Sequence, residues 1–407
     1  MSKTYIPRSL EPVLRKAASE FPAVVLTGPR QSGKTTLLRH VFGESYGYVS
    51  LELPDVRAAV EEDPRGFLDL NSPPVIFDEV QYTPNLLPYV KERIDAQRDT
   101  PGQYLLSGSQ NLLLSERVTE SLAGRASVLR LLPLSRREAD GAAHLPLPWE
   151  TESTREAGTI SLGRIPWNDF LRGSYPEIIA DPHRDLSLWH ASYVQTYLER
   201  DVRTIRQVGN LVQFQSFLRS LAARSAQLLS LSDLARDLGI AVNTVKAWLS
   251  VLEATYQVII LRPYFANLGK RLVKRPKVYF TDTGTLCYLT GLRDPVHAAS
   301  GPMAGPIMET AVLTEIVKAL THRGIDPQVY FWRTSSGREV DIIVEDAGRL
   351  VPIEVKASAT PRPPMATSLR SFQDDLGGQA AGGYVIHPGD VKLPLGGNVV
   401  AWPFALL

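Results

Sequence analysis

The sequence predicts an α/β fold that begins with a parallel sheet, and three observations predict it. Residues 23–39 read as an apolar strand, a glycine-rich loop and the start of a helix. A second apolar strand, Val75 to Phe77, ends in the acids Asp78 and Glu79. Two alternating apolar strands near the C-terminus, 339–344 and 350–356, carry acids and a lysine on one side. Hydrophobic residues make up 44% and charged residues 21%, which supplies core material and rules out a disordered polyelectrolyte. The 407 residues suffice for several domains at roughly 100–200 residues each.

The first element carries the most specific chemistry. Gly28-Pro29-Arg30-Gln31-Ser32-Gly33-Lys34-Thr35 is the G-x-x-x-x-G-K-[ST] pattern, and Ala23 to Leu26 before it and Thr35 to Arg39 after it supply the strand and helix that it requires. Gly28 and Gly33 let the backbone curl until its N–H groups face phosphate oxygens. Lys34 reaches the β- and γ-phosphates, Thr35 holds Mg²⁺ by its hydroxyl, and Thr36 follows on the same helix start. The expected cofactors are ATP and Mg²⁺.

Asp78 and Glu79 follow the loop by about 40 residues, the Walker B arrangement. Asp78 is the expected Mg²⁺ partner, and Glu79 the group that orients and deprotonates the attacking water. Gln103 to Ser109 forms another short strand ending in small polar residues. Parallel strands present ligands at their carboxyl ends, so Ser107 or Ser109 is placed beside the γ-phosphate, with Ser109 as the catalytic choice. Either is equally readable as a serine turn.

Gly124-Arg125 then precedes an apolar strand, Val128 to Leu132. From Gly28 to Arg125 the chain resembles the AAA+ ATPases. The resemblance implies that Arg125 is an arginine finger reaching a neighbouring subunit's γ-phosphate, and that the protein is a homo-oligomeric ring, often a hexamer. It divides the chain into a nucleotide-binding core at 1–138 and a loop with helical lid at 139–209. Residues 139–163 read as a mobile loop without chemistry. In the lid, Arg172 is the chosen second sensor touching ATP, with Arg200 and Arg203 as alternatives.

Residues 210–295 read as a winged-helix domain. Leu229 to Ile240 and Ala241 to Glu253 form two helices around Gly239, and Val245, Trp248, Leu249 and Leu252 recur at helical spacing. Asn243 is the expected cap. Between 210 and 280 the chain has ten lysines and arginines against three acids, whereas its overall charge is +1. That local excess suits phosphate-backbone contacts. Thr244, Lys246, Lys270, Arg271, Lys274, Arg275 and Lys277 are the candidate nucleic-acid contacts, and duplex or branched DNA is the expected partner.

Residues 296–407 resemble the restriction-endonuclease-like fold through Asp341, twelve intervening residues, and Glu354-Val355-Lys356. The resemblance implies Mg²⁺ held by Asp341 and Glu354 with the helix acid Glu309, and Lys356 orienting water. Gln373 is placed at the flank. Nearly the whole chain resembles prokaryotic AAA+ ATPases whose C-terminal half was catalogued as a domain of unknown function.

The single cysteine, Cys287, excludes an intrachain disulfide and a cysteine-rich zinc site. No apolar run reaches the ~18 residues of a membrane span, so a cytoplasmic protein is expected. Two functions follow: an ATPase that remodels or translocates DNA, with a C-terminal domain that grips or cuts it; or a nucleotide-dependent switch whose C-terminal domain docks a protein without cutting DNA.

Overall fold

A computed structural model describes residues 5–109, 121–143, 145–150, 158–159, 166–198, 211–264 and 275–407. Lys270, Arg271, Lys274, Arg200 and Arg203 lie outside the described residues.

The N-terminal sheet contains β1 (Ala23–Thr27), β2 (Gly47–Ser50), β3 (Val75–Asp78), β4 (Tyr104–Gly108) and β5 (Ala126–Arg130) in the order β2-β3-β4-β1-β5. Every pairing is parallel. The three central strands are buried throughout, because helices cover both faces of a parallel sheet. Alternate residues feed different cores: Ala23, Val25, Phe77 and Leu106 enter one, while Val24, Leu26, Ile76 and Leu105 enter the other. This period-two division follows from the pleat. β5 starts two residues earlier than the apolar run alone indicates, and Val128 on this edge strand is exposed.

The middle of the chain is mostly helical. Ser230 caps the helix Leu231–Leu238, which ends at Gly239 with φ 64°, the left-handed position glycine occupies without steric cost. The next helix is Val242–Ala254. Its first position follows Ala241, whose extended backbone has no side-chain capping bond. Asn243 therefore stands inside the first turn and does not cap it. Val245, Trp248, Leu249 and Leu252 are buried as their spacing requires. An antiparallel sheet of β7 (Gln227–Leu228), β9 (Lys277–Phe280) and β8 (Val258–Leu261) completes this part.

The C-terminal sheet is mixed. Its strands are β10 (Val329–Arg333), β11 (Glu339–Asp346), β12 (Arg349–Val355), β13 (Gly383–His387), β15 (Val399–Pro403), β14 (Val391–Gly396) and β6 (Gly158–Thr159), in that spatial order. β11 and β12 form the expected antiparallel hairpin, and β12, β13 and β15 run parallel. The helix Ala304–Thr321 packs on one face, where Ile342, Ile353 and Ile386 share its core. The helix Thr367–Leu376 covers the other with Leu369 and Phe372.

The stretch read as a chemistry-free mobile loop is tied down where it is described. Leu147 is buried, Arg323 makes two bonds to Glu150 at 2.8 and 3.0 Å, and Gly158–Thr159 pairs with β14. One apolar core extends from Leu132 through Trp167 and Trp248 to Phe404. The middle and C-terminal parts are thus packed as one body rather than joined by a bare linker.

Candidate functional site

The glycine-rich loop leaves β1 at the carboxyl end of the sheet. Gly28 has φ 151° and Gly33 φ 94°. A Cβ on Gly28 would lie 2.0 Å from the Leu131 carbonyl oxygen, so the loop admits no side chain there. The Lys34 ammonium donates to the carbonyls of Gly28 and Pro29 at 3.0 and 2.9 Å. Above the loop is a cavity of about 520 Å³, within the size range of small-molecule sites. Gln31, Lys34, Thr35, Thr36 and Glu79 line it.

Asp78 ends β3 beside the loop. It accepts from the Thr35 hydroxyl at 2.7 Å, from the Tyr48 phenol at 2.8 Å and from the Ser107 hydroxyl. Burial and this bond to a carboxylate push the Tyr48 phenol well above its ordinary range. A carboxylate and a hydroxyl at the end of the phosphate loop are hard oxygen donors, the set that Mg²⁺ selects. Thr35 and Asp78 are the residues that would hold the ion.

Glu79 sits in the left-handed region, φ 59° and ψ 47°, a conformation that costs a non-glycine residue of order 1–3 kcal/mol. Gln81 donates to Glu79, and also to Ser109 at 3.1 Å. The Ser109 hydroxyl is 3.3 Å from Glu79 Oε2. The two serines at the end of β4 thus divide their work: Ser107, within the strand, holds Asp78, while Ser109, one residue past it, and Gln81 hold Glu79. The carboxylate lines the cavity and is held by Gln81 from the turn after β3 and by Ser109 from just past β4, the kind of support a water-orienting base would need.

Three residues at this site carried no sequence signal. Tyr5 lines the cavity and stacks on His40 at 3.7 Å between ring centroids. Tyr48 is the second, on Asp78. Arg8, buried, donates to the Ser32 carbonyl of the loop at 2.9 Å, to the Leu132 carbonyl at 2.7 Å and to Glu138 Oε1 at 3.2 Å. The other oxygen of Glu138 accepts from His322 Nδ1 at 3.1 Å, and His322 Nε2 accepts from the Leu132 N–H at 3.1 Å. Burial alone pushes the Glu138 carboxyl up, but His322, Arg8 and the Ser135 N–H outweigh it and hold it far below the usual range. Burial holds the His322 imidazole below its ordinary value against the pull of Glu138. This chain of bonds runs from the phosphate loop to the end of the helix Ala304–Thr321.

Two arginine expectations differ from what the structure holds. Arg172 clasps the carbonyls of Ile178, Asp181 and Pro182 at 3.1, 3.3 and 2.8 Å and is not among the cavity's lining residues. Its role as a nucleotide sensor is corrected to that of a loop clasp. Arg125 makes two bonds to Asp95 at 2.6 and 3.0 Å. Ala23 pairs with Ala126, so Arg125 lies at the amino ends of the strands, about 16 Å from the phosphate loop at five residues of strand. It does not reach its own chain's loop.

The C-terminal acids do converge. A cavity of about 580 Å³ is lined by Lys277, Glu309, Arg333, Glu339, Asp341 and Glu354. Glu309 accepts from Lys277 at 2.8 Å and from the Tyr279 phenol. Asp341 Oδ2 accepts from the Val355 N–H at 2.8 Å, and Lys356 donates to Glu354 Oε1. Burial and the Asp341 charge push Glu354 up to about 8 against Lys356, and burial with Asp341 pushes Glu309 up to about 7 against Lys277 and Tyr279. Gln373 donates instead to the Ala381 carbonyl at 3.0 Å, and Ser368 lines the cavity in its place.

A divalent metal does not fit this arrangement as it stands. Lys277 Nζ is 2.5 Å from Glu339 Oε1 and 3.9 Å from Asp341 Oδ1 as well as bonded to Glu309, so an ammonium fills the space among the expected ligands. No group of three or more metal-ligating side chains with metal-holding geometry occurs among the described residues. The same distances remove Lys277 from the nucleic-acid contacts, because its side chain is only 3% exposed. Arg224 and Arg236, part of the basic excess, are paired with Asp237 and Asp233. Lys246 and Arg275 are exposed and Thr244 is half-buried.

Residues 20–139 match the family described as AAA domain. Residues 167–296 and 304–407 match two families described as Domain of unknown function, DUF8612 and DUF4143. Among solved structures, the chain is similar to the Walker-type ATPase PABY2304 of Pyrococcus abyssi, with 17% identity, TM-score 0.44, and coverage of 69% of this chain and 94% of that one. It is also similar to the RuvB Holliday junction branch migration motor of Thermotoga maritima, with 16% identity, TM-score 0.25, and coverage of 62% and 85%. Two curated relatives, the uncharacterized proteins Mb2031c of Mycobacterium bovis and Rv2008c of Mycobacterium tuberculosis, are each 33% identical over 395 residues, 96% of this chain and 82% of theirs. With its phosphate loop, its paired acids and an AAA domain at residues 20–139 on one parallel sheet, the chain belongs to the family of these mycobacterial proteins.

Proposed function

We propose that the protein is a Mg²⁺-dependent ATPase that uses hydrolysis to remodel or translocate duplex or branched DNA, held by the middle segment and the C-terminal domain. The observation that carries the ATPase half is the convergence of Thr35, Asp78 and Glu79 at the mouth of the phosphate loop. MgATP bound there supplies a polarised phosphoryl group. Lys34 turns from its loop carbonyls toward phosphate, Thr35 and Asp78 hold the metal, and Glu79 takes the proton of the attacking water.

The DNA half is supported by exposed Lys246 on the second helix of a two-helix unit, and by exposed Arg275 leading into β9. The bonds from Arg8 through Glu138 to His322 tie the loop to the domain that would feel the DNA. ATPase rate with and without duplex, forked and four-way DNA tests the reading. Stimulation that fades with added salt is expected; unchanged turnover with no salt-sensitive binding rejects it.

One observation favours the second reading, a nucleotide-dependent switch. Arg224, Arg236 and Lys277 are bonded to acids of the chain itself, which lowers the charge available to a polyanion. A tight protein partner recovered only with one nucleotide state, alongside absent DNA binding, would replace the first reading with this one.

A further inference from the structure

We propose that Lys277 is the resident cation of the C-terminal acid pocket. Its ammonium, delivered from the neighbouring three-stranded sheet, stands where a divalent metal would, so the pocket is closed to metal-dependent cleavage.

Four carboxylates line the pocket: Glu309 from the helix Ala304–Thr321, Glu339 and Asp341 from β11, and Glu354 from β12. None of their own elements supplies the cation that faces three of them. Lys277 does, from β9. Lys277 and Tyr279 are two residues apart on β9 and so point to the same side; both end on Glu309. The Lys277 ammonium also lies 5.4 Å from the Phe331 ring centroid, a further favourable contact for a desolvated cation.

The lysine is held by its strand. β9 is the central strand of its sheet, paired with both β7 and β8. Withdrawing the ammonium leaves buried acids without a counter-charge, which is costly. The remaining positive charges serve single acids: Arg333 bonds Glu339 at 2.8 Å, and Lys356 bonds Glu354. Glu354 Oε2 is buried without a partner, and the residue is 7% exposed. Glu354 thus keeps one unanswered buried oxygen, and removing Lys277 should leave a set of hard oxygen donors at the pocket able to take an ion.

This inference stands apart from the ATPase reading, because its test uses no nucleotide. Mn²⁺ alone is titrated into the full chain carrying Asp78→Asn, which disables the N-terminal metal site, and binding is read by electron paramagnetic resonance. The chain with Lys277 intact should bind no Mn²⁺ through Asp341. Adding Lys277→Gln should create a site at least ~10-fold tighter, since a built-in competitor is removed, and Asp341→Asn should abolish it again. Asp341-dependent Mn²⁺ binding of equal strength with Lys277 present overturns the proposal, and so does the lack of any gain in K277Q. Should K277Q fail to fold, reductive methylation of the unsubstituted chain decides. Lys277 protected from methylation, with and without Mn²⁺, supports the proposal; Lys277 becoming reactive when Mn²⁺ is added rejects it.

Discussion

The Thr35 hydroxyl donates directly to Asp78 at 2.7 Å, joining the phosphate loop to the acid that ends β3. The two residues are 43 positions apart in the chain, yet they meet because β4 alone separates β1 from β3 in the sheet.

The first prediction separates binding from chemistry at this unit. Lys34→Ala should abolish ATP uptake measured by calorimetry with Mg²⁺ present. Glu79→Gln should keep uptake while phosphate release slows by about 10²–10⁴, the usual contribution of a positioned base. Ser109→Ala should act in the same direction as Glu79→Gln and less strongly, because Gln81 still holds the carboxylate.

Arg125 tests whether the site is shared. Arg125→Ala should leave ATP affinity intact and lower turnover by about 10³–10⁵, the range for an arginine finger. Mixing these chains with Lys34→Ala chains should then restore turnover, each supplying what the other lacks. Full activity of R125A alone would reduce Arg125 to a surface partner of Asp95.

Arg172→Gln should leave ATP affinity within about twofold and lower the melting temperature. It removes bonds from a cation to three carbonyls, each worth roughly 1.5–3 kcal/mol when one partner is charged. A large rise in ATP dissociation constant with unchanged melting would restore the sensor role.

Acid should loosen the Arg8–Glu138–His322 chain. The His322 folded pKa is lowered, so stability falls as pH drops through the imidazole's ordinary value near 6.5. The Glu138 folded pKa is also lowered, so its contribution is present above its ordinary value of 4.5 and is lost as pH falls below that. Both signs agree: the unfolded chain binds more protons on the acid side. Melting curves should show this loss in the parent chain, and a shallower one in His322→Gln. An unchanged slope in that variant would place the pH dependence elsewhere.

Lys246→Glu and Arg275→Glu should each weaken DNA binding across all sequences, and each should reduce the salt slope by about 1. Lys277→Gln should not alter that slope, since its ammonium faces Glu309 and Glu339.

Much of the nucleotide site was legible in the sequence because its residues lie in two short segments. The loop from Gly28 to Thr35 and the acids at 78 and 79 each carry their own strand context. The hairpin of β11 and β12 was legible for the same reason: alternation over a few residues states the pairing. Arg8 and His322 left no such mark. They are 314 residues apart, and nothing local to either names Glu138 between them. Arg172 and Asn243 misled because an arginine in a lid and an asparagine near a helix start have several local uses, and packing selected among them.

The order of residues by itself determined the phosphate loop, its acids, the parallel sheet that presents them and the C-terminal hairpin, because backbone periodicity and glycine placement act over one or two elements. Tertiary structure alone decided which charges meet. Lys277 counts as a DNA contact when charge is summed along the chain, and becomes the counter-ion of Glu309, Glu339 and Asp341 once β9 packs against the C-terminal sheet. Coulomb forces depend on distance in space and on burial, and neither is written along the chain.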